Sequence, residues 1–155
     1  MSRKSHPEPL RHGRITLSFE WSIDRWLHRF TIDGDGESLV WQSIDFEDSG
    51  TAEWPPSPPL VELWKGTDTG FMGVGRSGRS HFSLSATADP VFPDDVRMEW
   101  ACRVHEPPKR LGSTYRSPCG DRIVIAPDFE SAGGLRLPST IRWSYRVGPR
   151  GIEPT

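Results

Sequence analysis

The chain has 155 residues, enough for one domain with a substantial core, and its 19 basic against 21 acidic side chains leave a formal charge of -2, which excludes bulk nucleic-acid binding and a polyanionic tail. No apolar run is long enough to cross a membrane or to form the middle of an export signal, and two cysteines are too few for a disulfide framework, so a cytoplasmic protein with reduced thiols and no membrane partner is expected. Fifteen glycines, fifteen prolines and seven tryptophans against three methionines favour turns and pleated surfaces over a helical bundle.

Residues 1–13 carry charges, His6, Pro7 and Pro9 without periodicity and are expected to form a flexible arm. From Arg14 the pattern changes. Ile15, Leu17, Phe19 and Trp21 alternate with polar residues, a turn is expected over Ser22–Asp24, and Trp26, His28, Phe30 and Ile32 alternate again. Asp33-Gly-Asp-Gly36 then supplies a hairpin turn, giving a three-strand meander through Trp41. The same residues approximate a helical face from Phe19 to Phe30, but the alternation begins earlier and a turn follows at once, which favours strands. Asp33, Asp35 and Glu37 open like a calcium loop, yet Ser38 and Ile44 stand where such a loop needs glycine and glutamate.

Asp45 to Pro59 is acidic and then proline-rich, which predicts an extended connector crossing an edge of the fold; its prolines suit a partner's aromatic groove less well than an internal strut. Trp54 and Trp64 flank it and are the two tryptophans expected to be exposed, where they would serve as stacking platforms for a carbohydrate. Short strands are predicted over 60–64, 70–74 and 80–86.

Gly73-Val-Gly75-Arg-Ser-Gly78 matches the dinucleotide fingerprint G-x-G-x-x-G, which requires a helix to follow so that phosphates meet free N–H groups. Phe82, Leu84 and Ala86 alternate with His81, Ser83 and Ser85 instead, so a strand follows and the run reads as a hairpin loop. Protein kinases place such glycines between strands, but the remaining kinase motifs are missing, and Ser77 misses the nucleophile-elbow spacing by one position. No cofactor is expected. Arg76, Arg79 and His81 beside the glycines form a candidate anion cradle.

Val96, Met98, Trp100, Cys102 and Val104 form the clearest amphipathic strand. Cys102 and His105 have the C-x-x-H spacing of metal ligands, but on a strand they point to opposite faces, so a buried structural thiol is expected and no metal. The polar stretch 103–116 adds Arg110, Tyr115 and Arg116 to the candidate anion surface. His81 or His105 with Glu99 or Glu106 would be the acid–base pair of a small enzyme. Further strands are predicted over 111–116, 122–126 and 140–147, with Ile141, Trp143, Tyr145 and Val147 facing inward. Residues 148–155 are expected to be disordered. Gly151 to Thr155 also resembles the peptide obtained by translating the T-arm of a tRNA gene, which would make it an overrun of the reading frame.

The predicted fold is a single all-β domain over 14–147, an antiparallel two-sheet sandwich or jelly roll of nine or ten strands, with a partly closed barrel as the alternative. The predicted function is a non-enzymatic binding module for an unknown protein or small anionic ligand. The anion surface would comprise Arg76, Arg79, His81, Arg110, Tyr115 and Arg116, and the alternatives are a carbohydrate-binding sandwich and an acid–base enzyme.

Overall fold

Ile15, Leu17 and Phe19 share the buried face of β2 (Ile15–Ser22), which follows a short β1 (Leu10–His12) and turns into β3 (Arg25–Asp33) and β4 (Ser38–Ser43). The computed structural model describes residues 5–45, 54–66, 70–128 and 136–155; the expectations for residues 1–4 and for the acidic stretch 46–53 lie outside them. A second meander comprises β5 (Glu62–Lys65), β6 (Phe71–Ser77), β7 (Ser80–Ala88) and β8 (Val96–Val104). Two later hairpins, β9 (Ser113–Arg116) with β10 (Arg122–Ile125) and β11 (Ser139–Gly148) with β12 (Gly151–Pro154), complete the chain.

All pairings are antiparallel. β9 joins β4 and β11 joins β8, giving two six-stranded sheets in the orders β1-β2-β3-β4-β9-β10 and β12-β11-β8-β7-β6-β5. Each sheet is therefore a four-strand meander extended by a later hairpin, one connectivity used twice without a repeat in sequence. The sheets pack face to face and do not close into a barrel.

The twelve strands among the described residues exceed the nine or ten predicted, and the additions are β1 and β12, within the segments read as a flexible arm and a disordered tail. Both are too short to show a period. Leu10 pairs with Leu17 and is buried, and Ile152 pairs with Val147 and packs against the core, so an adjoining edge orders each segment. The helical alternative for 19–30 is replaced by β2 and β3, with Phe19, His28 and Phe30 all directed inward. Aromatic rings dominate the interior. Phe19 meets Phe71 across the sheets at 4.9 Å, and Trp100 lies nearly parallel to Trp143 at 6.2 Å, where offset ring pairs add to simple area burial.

Four of the described hairpins have two-residue loops; in three of them, Gly13-Arg14, Ile23-Asp24 and Gly78-Arg79, the first residue has positive φ, +57°, +60° and +57°, whereas the fourth is Pro149-Arg150. Glycine adopts this conformation freely; Ile23, 86% exposed at its tip, adopts it against its β-branched side chain.

The proline connector is internal. The Ser57 hydroxyl donates to the Thr114 carbonyl (3.1 Å) and accepts from the Thr114 N–H (2.9 Å), while the Thr114 hydroxyl donates to the Pro56 carbonyl (2.8 Å). Trp26 N–H donates to the Leu60 carbonyl in the first sheet, and Val61 N–H to the Val74 carbonyl in the second. Proline's missing donors suit a strut that makes its hydrogen bonds mostly through carbonyls and one serine.

A groove on the outer face of the second sheet

The glycine motif lies mostly inside a strand, not in the loop expected from sequence. β6 continues to Ser77, and the loop is only Gly78-Arg79. Gly75 has a packing role: a Cβ there would sit 1.7 Å from the Pro59 carbonyl oxygen, so only glycine lets the connector cross β6 at that height. Gly73 faces Leu60 in the same way but less tightly, at 3.1 Å from a side-chain methyl.

Strand register then sets out the opposite, outward face of the second sheet. One rung reads Trp64, Met72, Ser85, Glu99 and Ser144; the next reads Glu62, Val74, Ser83, Ala101 and Arg142; a third reads Arg76, His81, Arg103 and Thr140. Small side chains, Ser85 in the first rung and Ser83 and Ala101 in the second, lie next to larger ones, Trp64, Met72 and Glu99 in the first and Glu62 and Arg142 in the second, so the face is hollowed. A cavity of about 410 Å³ along the first rungs shares Val74, Ser83, Ala101 and Arg142 with a second of about 860 Å³ toward the third, making one continuous groove.

The groove is apolar at one end and cationic at the other. Trp64 is 44% exposed on β5, beside exposed Met72 and Val74. Arg103 donates to the Thr140 hydroxyl (3.2 Å), and Arg76 and Arg142 flank the same end. Among the described residues Arg76, Arg103 and Arg142 form no ion pair. By contrast Arg97 is held by Glu99 (2.7 Å), and Arg146 contacts Asp95 (3.5 Å) and Glu153 (3.4 Å).

Of the residues singled out from sequence, Arg76 and His81 line this groove and Arg79 occupies the exposed turn tip beyond it. The His81 ring lies 6.2 Å from that of His105, so the start of the 103–116 stretch reaches the 73–81 hairpin. Its remainder departs. Arg116 is exposed on β9 of the other sheet, paired in register with Gln42 and Arg122, and half-buried Arg110 precedes β9 in the inter-sheet connection. Tyr115 cannot belong to a surface at all, because it is fully buried between the sheets. Trp54, expected to be an exposed stacking platform, is only 3% exposed and belongs to the core, since the internal connector carries it inward.

Of the acid–base pairs named from sequence, His81 with Glu99 does not assemble. Glu99 lies four residues along β8 from Arg103, the register partner of His81, a separation of roughly 13 Å at strand rise, and its carboxylate is occupied by Arg97. Cys102 is buried, and burial pushes its thiol up to about 12; Cys119 is exposed and both are free. Among the described residues no three His, Cys, Asp or Glu side chains gather as metal ligands would.

Arg103 and Arg142 were missed as site residues. Both occupy outward positions of alternating strands, which sequence shows, but only the β8–β11 register brings them to one end of the groove.

Tyr115 belongs to a buried polar chain that bolts the sheets together. His28 Nε2 is 2.6 Å from the Tyr115 hydroxyl, which is hydrogen-bonded to the Tyr145 hydroxyl, and Trp100 Nε1 donates to Tyr145 (2.9 Å). Trp143 Nε1 donates to Ser113 (3.0 Å) alongside. Burial holds His28 neutral, down to about 3, and lifts the Tyr145 hydroxyl to about 12. Burial likewise lifts Asp45 to about 7, against the opposing pull of Arg25.

No family model matches this chain, and neither does any curated protein or solved structure.

Proposed function

We propose that the chain is a binding module rather than a catalyst, and that the grooved outer face of the second sheet receives a ligand bearing anionic groups. One contrast supports this reading. Arg97 and Arg146 on that face are neutralised by carboxylates, whereas Arg76, Arg103 and Arg142 at the groove are not, among the described residues. Neighbouring unpaired guanidiniums repel one another, and an anion between them relieves that repulsion while filling their planar donor forks. The groove is broad and shallow, which suits a ligand lying across strands better than a small substrate enclosed for reaction.

Linear polyphosphate, a polyanion with neither sugar nor base, is the charge-only probe. It is expected to bind the full chain at low ionic strength and to be released by salt, with affinity falling roughly tenfold in an Arg103→Gln/Arg142→Gln variant. Arg116→Gln, on the other sheet, is expected to leave affinity unchanged. Absence of binding, or equal loss from Arg116→Gln, would overturn the proposal.

A further inference from the structure

The groove has two ends of different chemistry, and a small anion would use only one of them. Trp64 on β5 and Arg142 on β11 are separated by four inter-strand steps, roughly 19 Å at ordinary strand spacing. Between them the floor presents the hydroxyls of Ser83 and Ser85 on β7. A ligand that fills this length must offer a flat apolar surface at one end, hydrogen-bonding groups in the middle and negative charge at the other.

Sugar polymers with acidic substituents combine these features in a repeating unit. A pyranose ring has a C–H face that lies against an indole, its hydroxyls exchange hydrogen bonds with serines, and a uronate or sulfate group fits an arginine fork. Single-stranded nucleic acid fits less well. It is typically held by several aromatic side chains on which successive bases stack, and this groove offers one exposed indole, Trp100 and Trp143 beneath it being buried, while Glu62 and Glu99 on its rungs oppose a continuous phosphate backbone.

We propose that the occupant is an acidic oligosaccharide lying across the strands, one ring against Trp64 and its carboxylate or sulfate groups on Arg142 and Arg103, an inference that rests on the anion-binding reading of the same face. The indole and the guanidiniums then select jointly, the former for a sugar and the latter for its charge.

Calorimetric titration of the full chain tests it with four probes: a hexuronate tetrasaccharide, a neutral tetrasaccharide of equal length, the single hexuronate, and an oligouridylate. The acidic tetrasaccharide is expected to bind best, with the neutral one and the monomer at least roughly tenfold weaker. Trp64→Ala is expected to weaken the acidic tetrasaccharide roughly tenfold while leaving polyphosphate affinity unchanged, because polyphosphate has no ring to stack. Arg142→Gln weakens both. Trp64 is exposed, so its variant is expected to fold, and an unchanged urea midpoint would verify this. If polyphosphate binds in an arginine-dependent way but no acidic sugar does, the sugar assignment fails and the anion-binding reading survives; if neither binds, both fail. Equal or tighter binding of oligouridylate with the same Trp64 dependence would transfer the groove to nucleic acid and overturn the assignment.

Discussion

Gly75→Ala tests whether the glycine motif serves packing. The added methyl would lie 1.7 Å from the Pro59 carbonyl oxygen, half the 3.4 Å at which ordinary contact begins, and 2.7 Å from the carbonyl carbon. Both sides of the clash are backbone, so no rotamer relieves it. The connector must retreat, which strains the bonds from Trp26 N–H to Leu60 and from Val61 N–H to Val74 and unseats fully buried Leu60. Overpacking typically costs about 1–3 kcal/mol, and each buried hydrogen-bonding group left unpaired about 1–3 more, so a loss of about 3–5 kcal/mol is expected. For a chain of this length that lowers the thermal midpoint by on the order of 10 °C. Gly73→Ala meets a Leu60 methyl at 3.1 Å that can rotate away, and its cost is expected to stay near 1 kcal/mol, about the low end for overpacking. Urea denaturation of both purified variants measures the difference. A Gly75→Ala protein within about 1 kcal/mol of wild type, or no less stable than Gly73→Ala, would refute this account of the motif.

Ile23→Gly is expected to stabilise the protein by about 0.5–1 kcal/mol, because a side chain at positive φ costs about 1–2 kcal/mol and the glycine's greater freedom in the unfolded chain offsets part of the gain; a lower urea midpoint would count against it. Two buried groups should give opposite pH signatures. Asp45, raised from 3.8 to about 7, keeps its proton in the native state, so its stabilisation is present below about pH 4 and is lost as pH rises to 7. His28, lowered from 6.5 to about 3, stays neutral when folded, so its stabilisation is present above pH 6.5 and is lost as pH falls toward 3. Relative to wild type, Asp45→Asn should therefore gain stability as pH rises from about 4 to 7, and His28→Gln should gain as pH falls from about 6.5 to 3. Urea midpoints across this range check both, and difference profiles of the same sign would exclude the assignment.

Much of the fold was legible because alternation is a local signal. Val96 to Val104 and Ile141 to Val147 declare their buried faces without reference to neighbours, and the strand after Gly78 was enough to discount a nucleotide fold. Tyr115 was misplaced because β9 is covered on both sides. Tyr115 packs inward toward Tyr145, and Thr114 on the other side is capped by Ser57 and Pro56, so only Arg116 of its four residues is exposed and the short sequence shows no alternation by which to orient it. Trp54 was misplaced for the same reason, since a proline run shows that the chain is extended but not what lies against it.

The sequence by itself determined the strands between β1 and β12 and most of their inward and outward faces. Tertiary structure decided which strands are neighbours. The docking of β9 on β4 built the buried His28–Tyr115–Tyr145 chain, the passage of Pro59 over β6 explained Gly75, and the docking of β11 on β8 placed Arg142 beside Arg103. Alternation is written in adjacent residues, whereas strand order and register arise from pairings between segments far apart in the chain. The groove consists of those pairings, and so it appears only once the sheets are assembled.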